Sequence, residues 1–401
     1  MKTSKTIIAL LLASIGLLTS LSSALAERRL LEEPDYTRGE TTVERYQGKE
    51  NWNYSALGPV GAIAEVWGNT GTEKTRMLRI MRVIKGTPAD GVLRENDVVL
   101  GVVSPVGTKT GRFEMDARKA MAAAIAGAER KVNDGRLVLT IYRPEGDPKD
   151  GKGKTMPVTL TLPVLPDYSK TSPWACDKTE AIIDAACKSV LARGLYDEKK
   201  DETRVIKGGI PTRLEVLGLL ATGEDQYAPI IKAYVRELAD SKKTDSGSFS
   251  SWSISYEMLL LTEYYLATQD EYVLPAIRHT ARRIAQGASD VGTFSHGSAY
   301  SFTAHGRNWK YPSAYGAMNQ CSITCAMALV LARKCGVEDP EVDEVIQKAA
   351  YFYRWYVDKG AIPYGDHEPY MAHDNNGVNS QVAVLFDLLG DKEATRSFLP
   401  A

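Results

Sequence analysis

The chain has no excess of charge of either sign. Its 401 residues include 49 Lys and Arg against 50 Asp and Glu, giving a formal net charge of -1 at pH 7. Neither sign dominates a long stretch, which argues against a nucleic-acid or anionic-membrane partner. The five cysteines are an odd number, so disulfide bonds cannot pair all of them within one chain.

Motifs that identify a reaction are also missing. The sequence has no G-x-S-x-G nucleophile elbow. Cys321 and Cys325 are one helical turn apart, and no third Cys or His lies within four residues of either, so core packing is favoured over zinc binding. Cys176 and Cys187 could form a disulfide, or all five thiols could be reduced and buried. We expect no metal and no cofactor.

Apolar runs of the length that crosses a membrane are missing after the N-terminal segment. Lys2 and Lys5 precede an apolar run over residues 7–21, and Ala24-Leu25-Ala26 follows it. This order is typical of a secretory signal peptide cleaved after Ala26, with a short uncleaved anchor as the alternative. The mature chain is therefore expected to be exported, to the periplasm or the extracellular space, with no integral membrane span.

The length of the chain exceeds one ordinary core and predicts about two domains. Residues 1–26 form the expected signal peptide, and the charged residues 27–50 are expected to be a flexible leader. A β-rich domain is predicted over residues 51–166. After a linker, a helical domain is predicted over residues 174–401.

Residues 80–102 hold the most informative motif in the chain. An apolar strand runs into Gly86-Thr87-Pro88-Ala89, then Leu93, Asn96-Asp97 and a second apolar strand. Gly86 allows a sharp exit from the strand, Pro88 presets φ at the first helical position, and Asp97 favours the turn into the next strand. This order resembles that of PDZ domains, with three residues between Ala89 and Leu93 where four are usual.

The resemblance to PDZ domains implies binding of an extended peptide or protein segment as an added strand. Residues 57–61 would donate backbone N–H groups to a terminal carboxylate, although Pro59 lacks an N–H group. Pairing with an internal strand, or with the second domain, is therefore a comparable alternative. The implied peptide-binding residues are Leu57, Gly58, Val60, Gly61, Ile63, Met121 and Ile125.

Four apolar segments beyond Cys176 align with one another, and each ends in a tight turn that contains an acidic residue. A more amphipathic helix follows each turn, which predicts stacked helical hairpins. The turns within a hairpin are short and the returns between hairpins are long, so all the returns should lie on one rim. The four aligned segments are residues 215–223, 258–268, 328–336 and 384–390.

Two of the long returns hold four of the five histidines. The predicted catalytic residues on this rim are His296, Asp366, His367 and Asp374, because neighbouring carboxylates and imidazoles can serve as general acid and base. Tyr364, Tyr300 and Trp309 could stack on sugar rings. In the alternative interpretation, the histidines bond loop backbone and the acids cap helices.

The helical part resembles α/α-toroid domains of the terpenoid-cyclase and six-hairpin-glycosidase type. Residues 54–62, 292–297, 360–369 and 373–377 resemble a bacterial family described only as a domain of unknown function, which joins an N-terminal PDZ-like domain to such a toroid. The implied fold is a multidomain α+β protein with a PDZ-like β-rich domain and an all-α helical-hairpin toroid, incomplete at the C-terminus. Peptide or protein binding is the leading expected function. The alternative is a carbohydrate-active enzyme that binds polysaccharide at the toroid rim, either a glycoside hydrolase or a polysaccharide lyase-like enzyme.

Overall fold

The computed structural model describes residues 33–41, 54–67, 75–105, 111–193, 209–243, 247–313, 316–369 and 378–399. The chain divides into two compact units, residues 1–183 and 184–401. The first unit is built on a β-sheet and the second is mainly helical, so the prediction of a mixed α+β protein is confirmed. The expected signal peptide lies outside the described residues.

The first unit contains one six-stranded antiparallel sheet in which each strand pairs with the next along the chain. Apolar residues with period two put one face of most strands into a core. The strands are β1 Tyr54–Ala56, β2 Ala62–Val66, β3 Leu78–Val83, β4 Val98–Ser104, β5 Arg136–Pro144 and β6 Gly153–Thr161. Strand β2 thus has β1 on one side and β3 on the other.

Helix α1, Ala117–Ala128, closes the core of this sheet. The Asp116 side chain caps it by accepting the Arg118 N–H at 2.9 Å. Met121 and Ala124 are one turn apart and buried with the sheet residues, at 2% and 0% exposure. Helical spacing therefore puts one face of α1 on the sheet.

The turn at residues 86–89 is held by contacts of its own side chains. Gly86 has φ 77°, and the Thr87 hydroxyl donates to the Ile84 carbonyl at 2.6 Å. Asp97 is fully buried, accepts the Arg94 N–H at 2.9 Å, and binds the Arg143 guanidinium at 2.6 and 2.8 Å. The polar residues singled out in the sequence therefore fix the path from β3 to β4.

Part of the segment expected to be a flexible leader is packed. Within residues 33–41, Tyr36 is only 1% exposed and contributes to a small apolar cluster with residues of β4. The Glu33 carboxylate accepts the N–H groups of Arg76 at 2.7 Å and Met77 at 3.0 Å. Residues 33–41 are therefore ordered despite their charged composition, because burial of Tyr36 and the backbone bonds of Glu33 stabilise them.

Helix α2, Asp177–Arg193, spans the boundary between the units, and eight further helices form four hairpins in the described part of the second unit. None of the helices in the described ranges has the length and continuous apolar surface needed to cross a bilayer. The hairpin helices are α3 Ile210–Ala221, α4 Ala228–Lys242, α5 Ser251–Thr268, α6 Leu274–Gly287, α7 Asn319–Lys334, α8 Pro340–Arg354, α9 Val378–Leu389 and α10 Lys392–Ser397.

The hairpins pack in sequence order. The first helices α3, α5, α7 and α9 contact one another in that order, and the second helices α4, α6 and α8 do the same. Acidic residues of the short turns cap two of the second helices, α8 and α10: Asp339 accepts the Glu341 N–H at 3.0 Å and Asp391 accepts the Ala394 N–H at 3.2 Å. Side-chain oxygens at these positions satisfy N–H groups that a helix start leaves unpaired.

A short antiparallel ribbon lies in the long return between α6 and α7. It consists of β7, Tyr300–Ala304, and β8, Arg307–Tyr311, joined by His305 and Gly306, which both have positive φ. A two-residue turn with both residues at positive φ matches the twist of a hairpin. These strands were not predicted from the sequence.

Candidate functional site

Two returns between hairpins meet at the start of α7. The Met318 N–H donates to the Phe294 carbonyl at 2.9 Å, which ties the first return to this helix. The Asn319 side-chain amide donates to the carbonyls of Pro363 and Gly365, both at 2.8 Å. Asn319 is fully buried, and its two bonds hold the second return in place, while the Met318 bond holds the first.

Gly292 allows the first of these loops to lie directly against α8. A Cβ atom at this position would come within 2.5 Å of the Ala349 backbone nitrogen, and Gly292 has φ 76°. Only glycine satisfies both the close approach and the positive φ. The loop is thereby placed beside the exposed face of the last turns of α8.

The two loops and α8 line a cavity of about 820 Å³ that is open to solvent. This volume is in the range of small-molecule binding sites. Three carboxylates, one imidazole and several aromatic rings line the same space. The lining residues are Asp290, Val291, Gln347, Lys348, Tyr351, Phe352, Trp355, Tyr356, Asp366, His367 and Glu368.

Aromatic residues of α8 and the turn after it form one wall of the cavity. Tyr351 is 82% exposed and Trp355 is 45% exposed, although both are large apolar side chains. Tyr356 is buried, and its ring meets that of Trp355 edge-on with centroids 4.9 Å apart. The wall is thus a supported aromatic surface that water reaches.

Carboxylates lie on the loops that face this wall. Asp366 and Glu368 are exposed, whereas the Asp290 carboxylate accepts the Lys310 N–H at 2.8 Å. The Tyr356 hydroxyl donates to the His367 carbonyl at 3.1 Å. Burial raises the pKa of Tyr356 to about 12, and the nearby charge of Asp366 acts in the same direction, so this hydroxyl keeps its proton.

The predicted catalytic residues have different outcomes. Asp366 and His367 line the cavity, whereas His296 is not among the lining residues and accepts the Trp252 indole N–H at 3.0 Å. Asp374 lies outside the described residues. Over the described ranges, no three His, Cys, Asp or Glu side chains are grouped closely enough to hold a metal ion.

The aromatic wall was missed in the sequence. Tyr364, for which stacking was predicted, instead packs against the helical core, while Tyr300 and Trp309 lie on the ribbon. The missed signal is the aromatic-rich run of residues 351–356, in which Tyr351 near the end of α8 and Trp355 directly after it are both exposed.

The first unit has a separate groove of about 380 Å³ between β1 and α1. Of the predicted peptide-binding residues, Leu57, Gly58, Met121 and Ile125 line it. The lining does not include Val60, Gly61 or Ile63. At one end, Lys178 binds Glu129 at 2.7 Å in a mostly buried ion pair. The groove therefore offers an apolar space bordered by paired charges.

The loop before β2 does not present the donors expected for a terminal carboxylate. The Leu57 N–H bonds the Ala62 carbonyl, the Val60 N–H bonds Leu57, and the Gly61 N–H bonds Gly58. Strand β1 also covers the edge of β2, with Ser55 opposite Ala64. At this end of the described sheet, an added strand could therefore pair with the outer edge of β1 and not with β2.

All five cysteines are free and buried. Burial raises the pKa of Cys321 and Cys335 to about 12, and the pKa of Cys325 lies well above its usual value for the same reason. These three thiols therefore stay protonated and act as small apolar groups.

The second unit thus defines a class of helical-hairpin protein with an aromatic and acidic cavity at the loop end. Residues 179–400 match a family described as a domain of unknown function (DUF6288), and the chain belongs to this family. The match includes every residue that lines the larger cavity. No curated protein shows a significant match to the chain.

Proposed function

We propose that this protein is a carbohydrate-active enzyme that binds a saccharide in the larger cavity and cleaves it there. The observation that carries the proposal is the exposed ring of Trp355 in the same cavity as the carboxylates of Asp366 and Glu368. Sugar rings have apolar faces that pack on aromatic rings, and hydroxyl edges that bond carboxylates.

The proposed chemistry is general acid and base catalysis of glycosidic bond hydrolysis. Two carboxyl groups are needed, one to protonate the leaving oxygen and one to act as base or nucleophile. Asp366 and Glu368 take these roles in the proposal because both are exposed to the cavity. Asp290, which already accepts a backbone N–H, keeps the loop in position.

The packing of the hairpins supports an α/α-toroid type of fold for the second unit. First helices contact first helices, second helices contact second helices, and two long returns come together. In toroids of the glycosidase type, chemistry takes place at one mouth of the ring. Fold likeness alone is weak support for an activity, so the proposal depends on the cavity residues.

Replacing Trp355 by Ala tests saccharide binding. Loss of one stacking surface is expected to weaken binding of soluble xylan or β-glucan by about fivefold or more, because an aromatic contact contributes roughly 1 kcal/mol beyond buried area. Isothermal titration calorimetry measures the change. The control is Tyr311→Ala, on the ribbon and outside the cavity lining. It should leave binding of a short saccharide unchanged, because such a saccharide fills only the cavity. Equal xylotriose affinity of W355A and the intact protein would contradict the proposal.

Peptide binding by the first unit is a second candidate function. The turn at residues 86–89, buried Asp97 and the groove beside α1 support a PDZ-like module. Since the N–H groups of Leu57, Val60 and Gly61 are engaged and β1 covers β2, we propose an internal peptide segment on the outer edge of β1. Ile125→Lys should abolish selection of peptides from a displayed library, whereas Ala123→Lys, on the exposed face of α1, should not.

Export remains a proposal that rests on the N-terminal segment. Lys2, Lys5 and the apolar run before Ala26 support cleavage at that residue. The mature protein would then begin at Glu27. N-terminal sequencing of protein recovered from its natural source checks this, and an intact Met1 would contradict it.

A further inference from the structure

The β7–β8 ribbon has one aromatic face and one polar face. Tyr300 pairs with Tyr311 and Phe302 pairs with Trp309, so all four rings project from the same side. The alternation is complete over both strands. The residues that project from the other side are Ser301, Thr303, Asn308 and Lys310.

The aromatic face has no cover in the described part of the chain. The exposed fractions of Tyr300, Phe302, Trp309 and Tyr311 are 51%, 42%, 37% and 46%. The rings contact mainly one another: the centroids of Tyr300 and Tyr311 are 6.0 Å apart, and those of Tyr300 and Phe302 are 6.1 Å apart. Four rings on one exposed face are more than scattered surface apolar residues, and such patches mark binding surfaces.

The ribbon is joined to the wall of the cavity. The Lys310 N–H donates to the Asp290 carboxylate at 2.8 Å, and the Lys310 carbonyl accepts the Asp290 N–H at 2.9 Å. Asp290 itself lines the cavity. These two bonds fix the end of the ribbon beside the proposed saccharide site.

Charge limits the ligands that can contact both surfaces. The cavity lining has three carboxylates, Asp290, Asp366 and Glu368, against one ammonium group, that of Lys348, and is therefore acidic. The only charged residues of the ribbon are Arg307 and Lys310. A polyanion is disfavoured in the cavity and a polycation is disfavoured on the ribbon. A long neutral polysaccharide, whose sugar rings have apolar faces, is repelled by neither the cavity nor the ribbon.

We infer that the aromatic face of the ribbon is a second binding platform for a neutral polysaccharide whose end or branch occupies the cavity. This inference rests on the proposed function and adds that the substrate is a polymer. The Arg307 guanidinium, 4.9 Å from the Trp309 ring centre, extends the platform with hydrogen-bond donors for sugar hydroxyls. Affinity should therefore rise with saccharide length.

The test compares polymer and short saccharide in ribbon variants. Phe302→Ser with Trp309→Ser removes two rings, and Ser301→Ala with Asn308→Ala changes the polar face as the matched control. The first pair is expected to weaken binding of soluble xylan or β-glucan by about tenfold or more. Binding of xylotriose or cellotriose is expected to be unchanged in both pairs.

Failure of the ribbon platform can be told apart from failure of the cavity proposal. Equal polymer affinity of the intact protein and the Phe302, Trp309 variant overturns the ribbon platform and leaves the cavity proposal in place. Failure of the intact protein to bind any neutral saccharide overturns both. Stronger binding of polygalacturonate or chitosan than of xylan and β-glucan overturns the neutral-polymer inference. If the intact protein binds phosphatidylglycerol vesicles and the Phe302, Trp309 variant loses this binding but still binds xylan, the aromatic face is a lipid contact. That result would overturn the platform.

Discussion

Replacing Asp366 by Asn and Glu368 by Gln together is expected to lower the rate of saccharide cleavage by about 10²- to 10⁴-fold, the usual contribution of general acid and base groups. Both changes preserve side-chain size and remove the ability to exchange a proton. The aromatic wall is untouched, so saccharide affinity should stay close to that of the intact protein. Reducing-end release from xylan or β-glucan measures the rate, and calorimetry measures the affinity.

The matched control replaces two exposed acids that do not line the cavity, Glu338→Gln and Asp387→Asn. This pair has the same change in formal charge and should cleave at the rate of the intact protein. Full activity in the Asp366, Glu368 variant would exclude these residues as acid and base. A parallel loss of affinity and rate would instead indicate that the two carboxylates only bind saccharide.

Replacing Glu257 by Gln is expected to lower the free energy of unfolding by about 3–5 kcal/mol. Glu257 lies on α5 with a side chain 4% exposed, and it binds Arg213 of α3 at 2.7 Å and Lys242 of α4 at 3.1 Å. The carboxylate is the shared partner of two cations in a largely buried position. Gln leaves both cations without this opposite charge, which is why the effect is large.

Chemical denaturation of the whole chain measures this loss. The control is Asp184→Asn, which removes an exposed ion pair with Lys188 and is expected to leave the free energy of unfolding unchanged. A second variant changes all three residues to Met or Leu and should lose less than E257Q, because no charge of the cluster remains buried. A loss below about 1 kcal/mol for E257Q would show that the buried cluster is well hydrated.

The main parts of the fold follow from local patterns in the sequence. The turn at residues 86–89 combines Gly86 at positive φ with Pro88, whose ring fixes φ, and few other structures need that combination. The hairpins follow from 3.6-residue periodicity and from acids such as Asp339 and Asp391, which became helix caps. These signals are short in range, so one sequence is enough to detect them.

The site was only partly predictable because it depends on contacts between distant residues. Grouping the histidines in returns led to Asp366 and His367, which line the cavity, but the packing of α8 determined that Trp355 and Tyr351 face the same space. Strand β1 has three residues, too few for a pattern, and it covers one edge of β2. His296 is in a return but does not line the cavity, because position in a return does not determine distance from the cavity.

The five free thiols can report how often the native structure opens locally. Since every cysteine is buried and a thiol reagent needs solvent access, the rate of alkylation in the native protein reports transient exposure of each site. Alkylation of Cys176 reports on the first unit, and alkylation of Cys335 reports on the second unit at the end of α7. Mass spectrometry after timed alkylation would therefore rank the local unfolding of the two units without any labelling mutation.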